Sequence, residues 1–245
     1  MSSSTNKKFV SKKTQKRLLK DVADVMKNPL VSQGIYYIHD EENIMKGYAF
    51  LIGPDDTPYE NGVFLFNFDF PVNYPYAPPK LTYLTNDGHT RFNPNLYRNG
   101  KVCLSILNTW RGEQWTSCQS IRSVLLTLIT VLNDTPLLNE PGISIKHKDF
   151  SKYNEFIKYK KYEISIINVL NKSLLNGKHI SFYHIIKNYY KNNKDIILEN
   201  IKKDWKKFQK NGSIPYSTSI YNMHCTPNYE KLLNDLENIF NKIEK

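Results

Sequence analysis

The sequence has 245 residues, enough to bury a substantial hydrophobic core. It has no apolar run of the roughly 18 residues that a membrane-spanning helix needs, and its first eight residues lack the apolar core of a signal peptide. Its three cysteines show no paired spacing, so we expect no disulfide framework and a reducing compartment, the cytoplasm or the nucleus.

The net charge of +11 is concentrated at the two ends of the chain. Residues 1–20 carry +7, residues 21–150 carry −4, and residues 151–245 carry +8. Basic flanks could contact nucleic acid, an anionic lipid surface or an acidic protein. We favour the plainer interpretation, a solvated lysine-rich surface, and do not expect a nucleic-acid partner.

The N-terminal part of the chain predicts a tail followed by a helix. Residues 1–12 are mostly small, polar and basic, so we expect them to be disordered. The helix should begin with Thr14 as its N-cap and end before Asn28-Pro29. Its apolar face is predicted to consist of Leu18, Leu19, Val22, Val25 and Met26.

Short strands follow, and together they predict an antiparallel meander. Asn61-Gly62 is typical of a two-residue hairpin turn, and residues 63–70 place four aromatic side chains on one face of a strand. The proline-rich run 74–80 could be a ligand for SH3-type domains, but its place between two strands favours a connecting turn. The predicted strands are 35–38, 46–52, 63–70 and 81–84.

The second half of the chain is predicted to be helical. Apolar residues recur at helical spacing after Ser120, the expected N-cap of a helix that packs on the sheet; they are Ile121, Val124, Leu125, Leu128, Ile129 and Leu132. Beyond Phe150 we expect a helix over about 153–175, two more within 181–209, and a last one after Pro227. Their apolar stripes predict helices that pack on the rest of the protein.

The segment from Phe92 to Leu107 carries the chemistry. It contains an Asn93-Pro94-Asn95 turn, an Asn99-Gly100 turn and then Cys103 in an apolar setting. Two turns so close together could bring the Asn95 amide near the Cys103 sulfur. A thiol nucleophile beside a neutral amide donor suits acyl transfer, because the sulfur carries the acyl group and the amide stabilises an oxyanion.

This segment resembles the catalytic centre of ubiquitin-conjugating (E2) enzymes, in which a His-Pro-Asn motif precedes the active cysteine. Asn95 lies eight residues before Cys103, the spacing typical of that family. Asn93 replaces the family's histidine, a variation that resembles a subgroup of large E2 enzymes with C-terminal extensions. The proline-rich run 74–80 matches a further family signature, and the resemblance covers residues 14–150.

The resemblance implies an α+β fold of the E2 (UBC) type. We expect an N-terminal helix, a four-stranded antiparallel meander, a central helix and a helical C-terminal extension packed on the core. The expected division is a disordered basic N-terminus at 1–12, a catalytic core at 13–160 and the extension at 161–245.

The resemblance also implies a function. Cys103 would accept ubiquitin, or a ubiquitin-like modifier, from an activating enzyme (E1) as a thioester and pass it to a substrate lysine, usually with a ligase (E3). Asn95 would stabilise the oxyanion or hold the loop that does, and Glu140, just before Pro141, would orient the lysine. No cofactor and no metal is expected. The alternative is a catalytically inactive E2-like module that binds ubiquitin.

Contacts with E1 and E3 are expected on the first helix and on two loops. By resemblance to the family they would involve Lys13, Lys16, Arg17, Lys20, Tyr76, Ser117 and Cys118. Trp115 lies twelve residues beyond Cys103 instead of the family's eight, so four residues are inserted there. We expect this insertion to reshape the surface that meets the acceptor or the E3.

Overall fold

The fold centres on a four-stranded antiparallel sheet, seen in a computed structural model that describes residues 10–244. Each strand pairs with the next one in the chain, which confirms the predicted meander. The strands are β1 (Ile35–His39), β2 (Lys46–Ile52), β3 (Val63–Asp69) and β4 (Lys80–Tyr83).

The connection between β2 and β3 differs from the predicted two-residue turn. Residues 53–62 form a longer loop, closed by a hydrogen bond from the Gly53 N–H to the Gly62 carbonyl at 2.8 Å. Gly53 passes so close to Tyr59 that a Cβ there would lie 1.9 Å from the Tyr59 carbonyl oxygen. Asn61 adopts a positive φ of 62° near the end of this loop, so the Asn-Gly pair ends a loop instead of forming the whole turn.

The first helix, α1 (Lys12–Lys27), begins two residues before the predicted N-cap. Ser11 is the N-cap, since its side chain accepts a hydrogen bond from the Thr14 N–H at 3.1 Å. Thr14 is buried inside the helix and donates to the Val72 carbonyl. Leu19 and Met26 are 55% and 58% exposed, so the buried face of the helix is narrower than predicted.

The expected disorder of residues 1–12 falls mostly on residues 1–9, which lie outside the described part of the chain. Ser11 and Lys12 belong to the start of α1.

The sheet is covered on both faces. Phe64, Phe66 and Phe68 belong to the core formed with helix α2 (Ile121–Val131), as the alternation of aromatic residues predicts. Val63 and Leu65 point the other way, into a second core formed with the C-terminal extension. Because both faces are covered, β3 is buried along almost its whole length.

Helix α2 begins as predicted. Ser120 is its N-cap and forms a capping box with Ser123. Four of its predicted apolar residues are fully buried: Ile121, Val124, Leu125 and Leu128.

The C-terminal extension is helical, with two differences from prediction. Residues 183–210 form one helix of 28 residues instead of two; this stretch contains no proline or glycine to interrupt it. A small hairpin lies where only a break between helices was expected. The elements are α3 (Phe150–Lys161), a π-helical turn (Tyr162–Ile167), α4 (Asn168–Leu170), α5 (Tyr183–Lys210), β5 (Tyr216–Thr218), β6 (Met223–Cys225) and α6 (Tyr229–Glu244).

The extension is joined to the rest of the protein without a visible linker. Helical structure runs without a gap from Phe150 to Leu170, so the expected boundary at residue 160 falls inside it. Across residues 10–244, no helix has the length and apolar character needed to cross a membrane.

Candidate active site

The segment that carries Cys103 is folded back on itself by two turns. The Leu96 and Val102 backbones pair in an antiparallel bridge, and the Gly100 N–H donates to the Tyr97 carbonyl at 2.9 Å. Gly100 has a positive φ of 85° and lies close to β4, where a Cβ would be 3.0 Å from the Tyr83 carbonyl oxygen. This return of the chain brings residues 95 and 103 opposite each other.

Asn95 makes two hydrogen bonds to the backbone of Cys103. The Cys103 N–H donates to the Asn95 carbonyl at 2.9 Å, and the Asn95 side-chain amide donates to the Cys103 carbonyl at 2.7 Å. The structure therefore brings these two residues together through the backbone of Cys103, whereas the sequence reasoning placed the amide near the sulfur. The amide is bonded to the main chain of the cysteine, which gives Asn95 a role in holding the segment that bears the thiol.

Asn93, the residue that replaces the expected histidine, packs the same loop. Its side-chain amide donates to the Tyr59 hydroxyl at 2.8 Å and to the Val131 carbonyl at 2.7 Å. Its side-chain oxygen accepts from the Asn95 N–H at 2.9 Å. One buried side chain thus connects the Asn95 turn to the end of α2 and to the β2–β3 loop.

Thr109 holds the chain on the other side of the cysteine. Its hydroxyl accepts from the Leu104 N–H at 3.0 Å and lies 3.1 Å from the Val102 carbonyl oxygen. It therefore ties both neighbours of Cys103 to the loop that follows. Sequence reasoning missed Thr109, because it lies in the stretch with the inserted residues, where the family spacing gives no guide.

An open groove lies beside the segment that carries Cys103. Cys103 itself is only 2% exposed, whereas a groove of about 750 Å³ runs alongside and is lined by Lys101, Thr109, Trp110 and Pro141 among other residues. Lys101 and Thr109, which line the groove, lie on either side of the cysteine in the chain.

Glu140 directly precedes Pro141 and so lies next to this groove. Its half-buried carboxylate accepts a hydrogen bond from the hydroxyl of Tyr221, which belongs to the C-terminal extension. Burial, together with this bond to a carboxylate, raises the pKa of Tyr221, so the hydroxyl stays protonated and remains a donor. Tyr221 is 81 residues from Glu140 in the chain, and no local sequence signal links the two.

The expected partner-binding residues fall into two pairs and three separate side chains. The Lys13 ammonium donates to the Tyr76 hydroxyl at 2.5 Å. Arg17 donates to the Ser117 carbonyl at 2.6 Å, so its guanidinium is used within the protein. The exposed side chains are Lys16, Lys20 and Cys118.

Two histidines of the C-terminal extension lie in different surroundings. His179 is buried, with a ring nitrogen 3.3 Å from the Phe66 carbonyl oxygen, and burial lowers its pKa. His184 is exposed on α5. Within residues 10–244, no three or more His, Cys, Asp or Glu side chains are grouped so as to hold a metal ion.

Comparison with known proteins adds independent evidence. The family model described as ubiquitin-conjugating enzyme matches residues 17–162. Ubiquitin-conjugating enzyme E2 Z from Danio rerio is 41% identical over 157 residues, which are 63% of this chain and 47% of that protein. The Homo sapiens E2 Z is 40% identical over 157 residues, 63% of this chain and 44% of that protein.

The chain spans less than half the length of these E2 Z proteins. Among solved structures, human ubiquitin-conjugating enzyme E2 G1 aligns with a TM-score of 0.44 and 30% identity, covering 51% of this chain and 98% of that chain. The family model alone accounts for more than half of the sequence, and it includes the Asn95 turn, Cys103 and Glu140. The chain belongs to the ubiquitin-conjugating enzyme (E2) family.

Proposed function

We propose that this protein accepts ubiquitin, or a ubiquitin-like modifier, from an E1 as a thioester on Cys103 and transfers it to a substrate lysine, usually with an E3. The observation that carries the proposal is the double hydrogen bond between Asn95 and the backbone of Cys103. It holds the thiol-bearing segment beside the groove that Pro141 lines. Membership of the E2 family implies ubiquitin, E1 and E3 as partners in general.

The first step is a thioester exchange. The Cys103 thiolate attacks the carbonyl carbon of the E1-bound modifier, and the E1 thiolate leaves. One thioester replaces another, so the step needs positioning more than driving force. The bond energy is already stored in the activated modifier, and the chain needs no cofactor of its own. Because a thiolate is consumed by oxidation, we propose a reducing compartment, the cytoplasm or the nucleus.

The second step is attack by a substrate lysine. Asn95 acts by holding the segment on which the oxyanion forms, and Glu140 orients the lysine and assists its deprotonation. Ser105, two residues beyond Cys103, carries no charge, and the proposal therefore assigns this purpose to Glu140.

The direct test is formation of the thioester. The protein is incubated with ATP, ubiquitin and each E1 in turn, beside Cys103→Ala and Cys118→Ala as a matched pair of cysteine variants. We expect an adduct on non-reducing gels that thiols remove, present in the wild type and in Cys118→Ala but absent from Cys103→Ala.

If no E1 charges the wild type with ubiquitin or with any ubiquitin-like modifier, the proposal is wrong. Retained binding of free ubiquitin would then favour the alternative, a catalytically inactive E2-like module. An adduct that survives in Cys103→Ala would place the acceptor thiol elsewhere.

A further inference from the structure

The turn between β5 and β6 is fixed against the core of the protein. The buried Asp149 carboxylate accepts hydrogen bonds from the Ser219 hydroxyl at 2.6 Å and from the Ile220 N–H at 2.9 Å. On the other side, the Arg98 guanidinium donates to the Tyr221 carbonyl at 2.6 Å. Arg98 follows Tyr97 in the turn that leads to Cys103, so this part of the extension contacts the segment that bears the thiol.

Tyr221 lies at the centre of this turn in an unfavourable backbone conformation. Its φ is +60°, in the left-handed region that bulky residues seldom adopt. The ring is held between the Arg91 guanidinium, 5.1 Å from the ring centre, and the Tyr153 ring, 6.0 Å away. Such strain persists only where the surroundings enforce it, and it is found most often at functional sites.

The polar end of Tyr221 reaches the loop beside the groove. Its hydroxyl donates to the Glu140 carboxylate, the group that the proposed function assigns to the incoming lysine. A carboxylate in an open loop would sample several directions, whereas a hydrogen bond from a fixed ring restricts it to one. The phenol donates to one oxygen and leaves the other free to accept.

We propose that Tyr221 is a positioning residue for the lysine-transfer step, holding the Glu140 carboxylate so that it receives the ammonium of the substrate lysine. The inference rests on the proposed function and adds a contribution from the C-terminal extension to it. During transfer, the lysine amine gives its electron pair to the thioester carbonyl carbon, the carbon–sulfur bond breaks and the Cys103 thiolate leaves. One proton of the ammonium passes to Glu140 or to water before the attack, and the second, which the nitrogen loses as the amide forms, passes to the departing Cys103 thiolate or to water.

If Tyr221 has this role, its hydroxyl affects the discharge of the thioester to lysine and does not affect the charging of Cys103. Charging of Cys103 uses no ammonium, so it does not depend on the direction of the Glu140 carboxylate. A nucleophile that is uncharged at neutral pH, such as hydroxylamine, needs no carboxylate to orient it either. A purely structural role for Tyr221 would affect all three reactions alike.

The test uses Tyr221→Phe in the full chain, which keeps the ring and removes the hydroxyl. Tyr216→Phe is the matched control, because the Tyr216 hydroxyl lies 3.1 Å from that of Tyr229 in the same extension, away from Glu140. Each protein is charged with ubiquitin by the E1 that charges the wild type, and discharge is followed with free lysine and with hydroxylamine.

We expect Tyr221→Phe to charge at the wild-type rate and to react normally with hydroxylamine, but to discharge to lysine on the order of tenfold more slowly. Tyr216→Phe should match the wild type in all three reactions. In a Glu140→Gln background, Tyr221→Phe should cause no further loss, because the two residues act as a unit.

Three results would overturn the inference: wild-type discharge to lysine by Tyr221→Phe, equal slowing with both nucleophiles, or an independent loss in the Glu140→Gln background. If the wild type fails to charge at all, the proposed function fails and this inference with it. If the wild type charges but Tyr221→Phe discharges to lysine at the wild-type rate, only the inference about Tyr221 is wrong and the proposed function stands.

Discussion

The side-chain amide of Asn95 donates a hydrogen bond to the backbone carbonyl of Cys103 over 2.7 Å. This bond uses one of the two N–H groups of the amide and is present before any substrate binds. An amide that already holds the main chain of the nucleophile acts on every step that uses the thiol. A role in holding the segment and a role in stabilising an oxyanion therefore differ in the reactions that they affect.

Asn95→Ala is expected to slow both charging and lysine discharge, each by on the order of tenfold or more, because both require a fixed Cys103. Loss of a hydrogen bond to a buried carbonyl should also lower the free energy of unfolding by about 1–3 kcal/mol. The measurements are single-turnover rates and urea unfolding. Asn171→Ala, at an exposed position in the C-terminal extension, is the control; normal charging by Asn95→Ala with slow discharge alone would favour the oxyanion role.

Arg17 connects α1 to the chain that precedes α2. Its guanidinium donates to the carbonyls of Ser117 and Gln119, both at 2.6 Å, and pairs with Asp21 at 3.0 Å. A lysine ammonium cannot reach these three acceptors at once. Arg17→Lys should therefore lower the free energy of unfolding by about 1–3 kcal/mol in urea denaturation.

The neighbouring Lys16 is exposed and serves as the control for Arg17. Lys16→Ala should change stability by less than about 0.5 kcal/mol. Slower charging in Lys16→Ala at unchanged stability would support a contact with E1, whereas equal stability of Arg17→Lys and the wild type would refute the structural role of Arg17.

Lys161 is buried at the end of α3, with 1% of its surface exposed. Burial lowers its pKa to about 8, although the nearby Asp204 carboxylate acts in the opposite direction. In the unfolded chain the pKa of a lysine is about 10.4. At pH values between these two pKa values, Lys161 binds more protons in the unfolded chain than in the folded protein. The free energy that Lys161 contributes to unfolding therefore becomes more favourable to the folded state as the pH rises.

Lys161→Met is expected to be more stable than the wild type at pH 7, because it removes a buried charge. This advantage should shrink by about 2 kcal/mol between pH 7 and pH 10. The comparison of two proteins at each pH cancels the contribution of the tyrosines, and the exposed Lys206→Met is the control. A difference in unfolding free energy that stays constant over this range would contradict the prediction.

Local patterns in the sequence were sufficient for most of the core. The capping of α2 by Ser120, the alternating aromatics of β3 and the spacing from Asn95 to Cys103 each depend on a few neighbouring residues. Such local patterns predict the structure correctly because backbone geometry alone determines which side chains share a face or meet across a turn. The same reasoning failed at the Asn61-Gly62 pair, where the close approach of Gly53 to Tyr59 determines the shape of the loop.

The rest of the site depends on contacts between distant parts of the chain. Glu140 receives its hydrogen bond from Tyr221, 81 residues away, and the strands of the β5–β6 hairpin are too short, at three residues each, to show an alternating pattern. The basic character of Arg17 was visible in the sequence, but its inward direction depends on Ser117, which is 100 residues away. Tertiary packing decides these positions.

The three cysteines differ in accessibility, and this difference predicts an order of chemical labelling. Cys118 is exposed, Cys103 is buried, and Cys225 is partly exposed. Burial raises the pKa of Cys225 to about 11, which leaves little thiolate at neutral pH. A bulky maleimide should therefore modify Cys118 first in the folded protein, as followed by intact-mass spectrometry.

Cys118→Ser isolates the behaviour of the proposed nucleophile. In this variant N-ethylmaleimide should modify Cys103 faster than a maleimide that carries a large polymer, because the two reagents share one reactive group and the buried position of the thiol hinders the larger one more. Unfolding in urea should abolish the difference between the two reagents. If the large maleimide labels Cys103 of the folded variant as fast as it labels Cys118 of the folded wild type, the segment between Asn95 and Thr109 opens freely in solution, and the hydrogen bonds that hold it cannot be what positions the thiol.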